Sequence, residues 1–112
     1  MKRTALTLTT TAALALALTS SPLAAADAAA GKQLYAKKCA SCHGAAGEGK
    51  DTIAKMLKVE MRPLASKEVQ AKSDAELIKD MNQGIGKMKP VAGLKDKDHE
   101  DIVAFVRTLA KK

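Results

Sequence analysis

Cys39-Ala40-Ser41-Cys42-His43 is the stretch on which the reading of this chain turns. Two thiols three positions apart, followed directly by an imidazole, form the C-x-x-C-H pattern of covalent haem attachment. Thiols at that separation reach the two vinyl groups on one edge of a porphyrin and form thioethers. The adjacent imidazole then turns beneath the ring as an iron ligand. Cys39, Cys42 and His43 are therefore the candidate residues for holding one haem c. Such a tether keeps a large apolar disc in a chain too short to enclose it tightly by packing alone.

Other uses of the same residues fit the sequence less well. A disulfide between Cys39 and Cys42 closes a very short loop with little entropic gain. A thioredoxin-like redox pair needs a βαβ context, and the chain has neither the β-branched alternation nor the length for one. A zinc site would draw on Cys39, Cys42, His43 and His99, with no second spaced pair to complete it.

Upstream of the motif, the N-terminus has the three parts of a secretory signal: Lys2-Arg3, an apolar stretch from Ala5 to Leu18, and the small residues Ala24-Ala25-Ala26. The apolar stretch spans 14 residues, short of the roughly 20 that a membrane-crossing helix requires. The expectation is a signal peptide over 1–26, cleaved after Ala26, and one mature domain over 27–112 exported to the periplasm. No stable membrane insertion is expected after cleavage.

Of the 112 residues, 46% are hydrophobic, but much of that is Ala and Leu in the leader. One Tyr, one Phe and no Trp leave few aromatic side chains for an interior. The formal charge of +7 falls to +5 once Lys2 and Arg3 are removed. Nearly all of the basic charge is Lys, whereas bidentate recognition of phosphates and bases favours Arg, so nucleic-acid binding is not expected.

Downstream, the pattern is of helices and loops. A first helix is predicted from about Ala28 to Ala40, with Gly31, Leu34, Tyr35 and Lys38 on one side. Three glycines between Gly44 and Gly49 mark a loop, and a short helix follows over Thr52 to Leu57. Ser73 and Glu76 form a capping box for a helix from Asp74 to about Gln83, ending at Gly84. A Gly/Pro-punctuated loop runs from Gly84 to Pro90. Asp98 then reads as the cap of a last helix, whose apolar positions Ile102, Phe105, Val106 and Leu109 recur at helical spacing. Lys111 and Lys112 complement its dipole. Met56 and Met81 read as core residues, and His99 as an exposed residue of the capping turn.

Together these features resemble the class I cytochromes c, and are closely similar to the small bacterial monohaem type. The marks are Gly31 and Tyr35 ahead of C-A-S-C-H-G at Cys39 to Gly44, G-x-G at Gly47 to Gly49, a Met-containing loop before the last helix, and I-V-A-F-V at Ile102 to Val106. The resemblance covers essentially the whole mature chain. It implies an all-α cytochrome c fold, with three to four helices around one covalently bound haem and the N- and C-terminal helices crossing. It also implies that Gly31 lets Phe105 approach while Tyr35 packs on Ile102.

The resemblance further implies a sixth iron ligand from the Met-containing loop, where this chain offers Met88. The family often has Met followed directly by Pro; here the order is Met88-Lys89-Pro90. Met61-Arg62-Pro63 repeats the pattern and is a rival ligand, and His99 would supply a bis-His alternative. With His43 and Met88 both on iron no position is open to substrate, so the expected function is one-electron transfer between redox partners, with no catalytic residue. Lys87 and Lys89 beside the proposed ligand suggest partners with acidic docking surfaces. The carrier is expected to be a monomer. The alternatives are a haem enzyme or a gas- or peroxide-responsive sensor with a displaceable sixth ligand, and an electron-entry subunit of a larger complex.

Overall fold

The computed structural model describes residues 12–13 and 25–110. Most of the leader expected over 1–26 lies outside the described residues, as do Lys111 and Lys112. Six helices follow in order: α1 (Ala28–Lys38), α2 (Ala40–His43), α3 (Asp51–Leu57), α4 (Lys67–Gln70), α5 (Asp74–Gln83) and α6 (Asp96–Thr108). Among the described residues there is no strand, only an isolated antiparallel bridge between Ile85 and Met88. The fold is the all-α arrangement anticipated above. Four helices of seven residues or more carry it, with two single turns between them.

Local chemistry explains most of the boundaries. The Asp27 carboxylate caps α1 by accepting from the backbone N–H groups of Ala29 and Ala30, at 2.9 and 3.1 Å. The helix stops at Lys38, earlier than expected, because Cys39 leaves helical geometry before the chain turns again into α2. The α5 box forms as read: the Glu76 N–H donates to Ser73 Oγ at 3.1 Å, and the Ser73 N–H donates to Glu76 Oε2 at 2.7 Å. The last helix begins two residues before the expected cap. Asp98 lies within its first turn and reaches back to accept from the Lys95 N–H at 2.9 Å.

The principal helix–helix contact is the crossing of α1 and α6. Its register differs from the implied one. Gly31 faces the backbone of Asp101 and Ile102, where a Cβ would overlap the Asp101 carbonyl. Tyr35 packs on Phe105, with ring centroids 5.0 Å apart and planes tilted by 56°. The contacts are thus nearly the reverse of the assignment of Gly31 to Phe105 and Tyr35 to Ile102. A second buried cluster, Met81, Ile102, Val103 and Val106, joins α5 to α6, with Met88, Leu34, Leu77 and Leu94 packed against it.

Two further side chains differ from expectation. His99 is buried at 3% exposure, because its face of α6 turns inward. Met56 is 68% exposed, since α3 presents it to solvent; Met81 is in the core as anticipated.

Candidate haem-binding site

Cys39 sits at the break between α1 and α2, with its N–H bonded to the Tyr35 carbonyl at 2.8 Å. The single turn of α2 then presents Cys42 and His43, whose N–H groups both donate to the Cys39 carbonyl, at 3.2 and 3.0 Å. The glycine loop folds back on this turn. Gly49 N–H donates to the His43 carbonyl at 2.7 Å, and Lys50 N–H to the Cys42 carbonyl at 3.1 Å. The Tyr35 hydroxyl donates to the Gly44 carbonyl at 2.6 Å, so α1 itself holds the residue after His43.

Both thiols are free. Burial pushes the Cys39 thiol up to about 11, so it is protonated at neutral pH, unlike the low-pKa thiolate of a redox-active pair. Burial also lowers the pKa of His43 and favours the neutral imidazole, the form with a lone pair for a metal. Its Nδ1 is buried without a hydrogen-bond partner. Among the described residues, no group of three or more His, Cys, Asp or Glu side chains converges as a metal site, so the zinc alternative has no ligand set.

Cys39, Cys42, His43 and Met88 line one cavity of about 810 Å³. That lies in the size range of cofactor clefts, roughly 300–1,000 Å³. Leu57, Val59, Leu77, Ile102 and Val106 contribute apolar walls suited to a large flat apolar group, and Lys38, Lys72, Lys87 and Lys89 line it too. The thiol pair, the neutral imidazole and the apolar lining fit a haem tethered by Cys39 and Cys42.

Met61 also lines the cavity, but from a different structural unit than Met88. A Cβ at Gly49 would lie 3.1 Å from the Met61 carbonyl oxygen and 3.3 Å from its Cγ, so Met61 packs on the loop bonded to His43. Met88 instead packs against the α5–α6 cluster. Its backbone exchanges two hydrogen bonds with Ile85, at 2.9 and 3.0 Å, closing a turn over Gly86 and Lys87. His99, the second rival to Met88, is not among the residues lining the cavity.

Sequence reasoning missed the supports behind this cavity. Gln70, at the end of the unforeseen α4, donates from Nε2 to the carbonyls of Leu64 at 2.8 Å and Val106 at 3.1 Å. Arg107 donates to the Gln70 carbonyl at 2.9 Å, the Lys72 carbonyl at 2.7 Å and Asp74 Oδ1 at 2.7 Å. These bonds fasten the segment between Leu64 and Asp74 to α6. Ser66, which caps α4, was the one local signal available. The Arg107 contacts span more than thirty residues and had none.

A helical chain whose cleft is lined by a thiol pair, a neutral imidazole and apolar walls has the make-up of a small haem-binding protein. Comparison with known proteins agrees: residues 28–110 match the Cytochrome c family, and the chain belongs to it. It is 35% identical over 91 residues to cytochrome c-554(547) of Halothiobacillus neapolitanus, an alignment covering 76% of this chain and 99% of that protein. Among solved structures it is similar to the KustC0563 c-type cytochrome, with a TM-score of 0.62 and 32% identity over 72% of this chain and 98% of the other.

Proposed function

We propose that this cytochrome c is a periplasmic one-electron carrier, with a single haem attached through thioethers to Cys39 and Cys42. His43 and Met88 would supply the ligands to its iron. The convergence of these four side chains on one cofactor-sized cavity carries the reading. Met88 is favoured over Met61 because Met61 packs on the loop bonded to His43, whereas Met88 packs on the α5–α6 cluster, apart from that loop, and would supply the second iron ligand from there. When bound, haem supplies the redox chemistry, and Met/His ligation raises its potential.

The chain's own residues position and shield that group. Cys39 and Cys42 fix one edge, the Gly49 and Lys50 N–H groups hold the turn that carries His43, and the apolar lining lowers the local dielectric. Lys87 and Lys89 are exposed at the cavity and favour a partner with an acidic docking surface.

Export follows from the leader pattern over 1–26, and no helix among the described residues is long and apolar enough to cross a membrane. The carrier works as a monomer in this reading, with mature residues 27–112.

The test is the mass of the denatured protein matured in a host that attaches haem. It should carry one haem, which is lost from the Cys39→Ala, Cys42→Ala double variant. Carbon monoxide added to the reduced protein should leave the spectrum unchanged; prompt binding would instead favour a haem enzyme or sensor.

A further inference from the structure

Asp101 is 5% exposed, at the point where α6 lies against Gly31 of α1. Its Oδ1 accepts two hydrogen bonds, from Lys97 Nζ at 2.6 Å and from the backbone nitrogen of Asp27 at 2.7 Å. Lys97, whose side chain is 44% exposed and whose Nζ also donates to the Ala25 carbonyl at 3.4 Å, supplies the one full positive charge on this carboxylate. A carboxylate withdrawn from water is stable when its partners are charged and close.

The nitrogen of Asp27 belongs to the peptide bond that follows Ala24-Ala25-Ala26, the expected cleavage site. We infer that cleavage between Ala26 and Asp27 creates a structural ion pair, in which the new α-ammonium of Asp27 seats on the Asp101 carboxylate and pins α1 to α6. The inference rests on the leader reading above. Water adds across the Ala26–Asp27 amide: the hydroxyl goes to the Ala26 carbonyl, which leaves on the leader as a carboxylate. The Asp27 nitrogen takes up protons to become an ammonium, its ordinary form near neutral pH.

One observation favours this junction, and a second shows how its cost is offset. First, the nitrogen that becomes charged is already at hydrogen-bond distance from Asp101, so no rearrangement is required. A start one residue earlier would move the charge by up to about 3.8 Å and leave an amide in its place. Second, an ammonium at the start of α1 opposes the helix dipole. The Asp27 carboxylate is engaged in capping Ala29 and Ala30, and Asp101 supplies the compensating charge. Lys97 and Glu100 on α6 are the other charged groups nearby.

The experiment uses the full chain with its leader, exported and loaded with haem. N-terminal sequencing should begin at Asp27; a different first residue overturns the inference. Asp101→Asn is then made in this chain and in one with Gly-Ser inserted between Ala26 and Asp27, which restores an amide at Asp27. Thermal and denaturant melts should show Asp101→Asn raising the unfolding constant about tenfold more in the chain that starts at Asp27. Equal losses in the two backgrounds would refute the pair. If Asp101→Asn does not fold, acylation of the α-amino group gives the same information: it should be slower in the chain starting at Asp27 than in the Gly-Ser chain, and equal rates would overturn the pair. The haem spectrum of the parent chain reports separately on the carrier reading, so the two failures are distinguishable.

Discussion

Gly31 lies directly against the backbone of Asp101, so closely that a Cβ at position 31 would overlap the Asp101 carbonyl oxygen and crowd the Ile102 nitrogen. The atoms in the way are backbone, which cannot rotate aside. Replacing Gly31 by Ala should therefore destabilise the protein by about 1–3 kcal/mol through overpacking, even though Ala is the better helix former by about 1 kcal/mol. Melts of the haem-loaded protein check the sign, and a stabilised Gly31→Ala variant would contradict the crossing described here.

The Tyr35 hydroxyl donates to the Gly44 carbonyl from a side chain that is 1% exposed. Tyr35→Phe leaves that carbonyl without its donor and should cost about 1–2 kcal/mol. Burial, with lesser contributions from Cys39 and Glu48, pushes the tyrosine up to about 12 from an ordinary 10. The neutral phenol is thus the form favoured by the fold, and its contribution is complete below pH 10. It is lost as pH rises from about 10 towards 12. The stability gap between the parent and Tyr35→Phe, followed by denaturant melts, should narrow over that range.

At the start of α5, Ser73→Ala removes a helix cap and should cost about 1 kcal/mol. The reciprocal bond from the Ser73 N–H, with the Ser73 side chain, holds the Glu76 carboxyl below the usual range. A depressed carboxyl stabilises the fold above its unfolded pKa and loses that contribution as pH falls through the folded value. Acid titrations should accordingly show a shallower loss of stability in Glu76→Gln than in the parent.

Gly84 ends α5 with φ at +76°, and a Cβ there would crowd the Met88 carbonyl oxygen and Pro90. Gly84→Ala should displace the loop that presents Met88 while leaving the Cys39–His43 turn intact. The expected signature is retained covalent haem together with new carbon monoxide binding by the reduced protein. An unchanged spectrum would separate the loop geometry from the sixth ligand.

These positions also show which parts of the molecule were legible in sequence. The boundaries of α5 depend on contacts a few residues apart and its residues announce them, whereas the break at Cys39 and the turn of α2 fall where one helix to Ala40 is expected. The start of α6 lies three residues earlier than its sequence suggests because Asp98 reaches back from within the helix to Lys95, so an acidic residue in the first turn resembles a cap. The charged neighbours Asp98 and Glu100 suggest an exposed His99; its burial depends on how α6 lies on the rest of the fold. The register of Gly31 on Asp101, the Arg107 bonds across the Gln70–Asp74 segment and the separate seating of Met61 and Met88 are tertiary facts with no local signature.

The most direct test of the central claim is the visible spectrum of the haem-loaded ferric protein, recorded beside Met88→Ala and Met61→Ala. A weak far-red sulfur-to-iron band should be present in the parent and in Met61→Ala and absent from Met88→Ala. Survival of the band in Met88→Ala, or its absence from the parent, would contradict the assignment of Met88 to the iron and with it the account of this protein as a closed-site electron carrier.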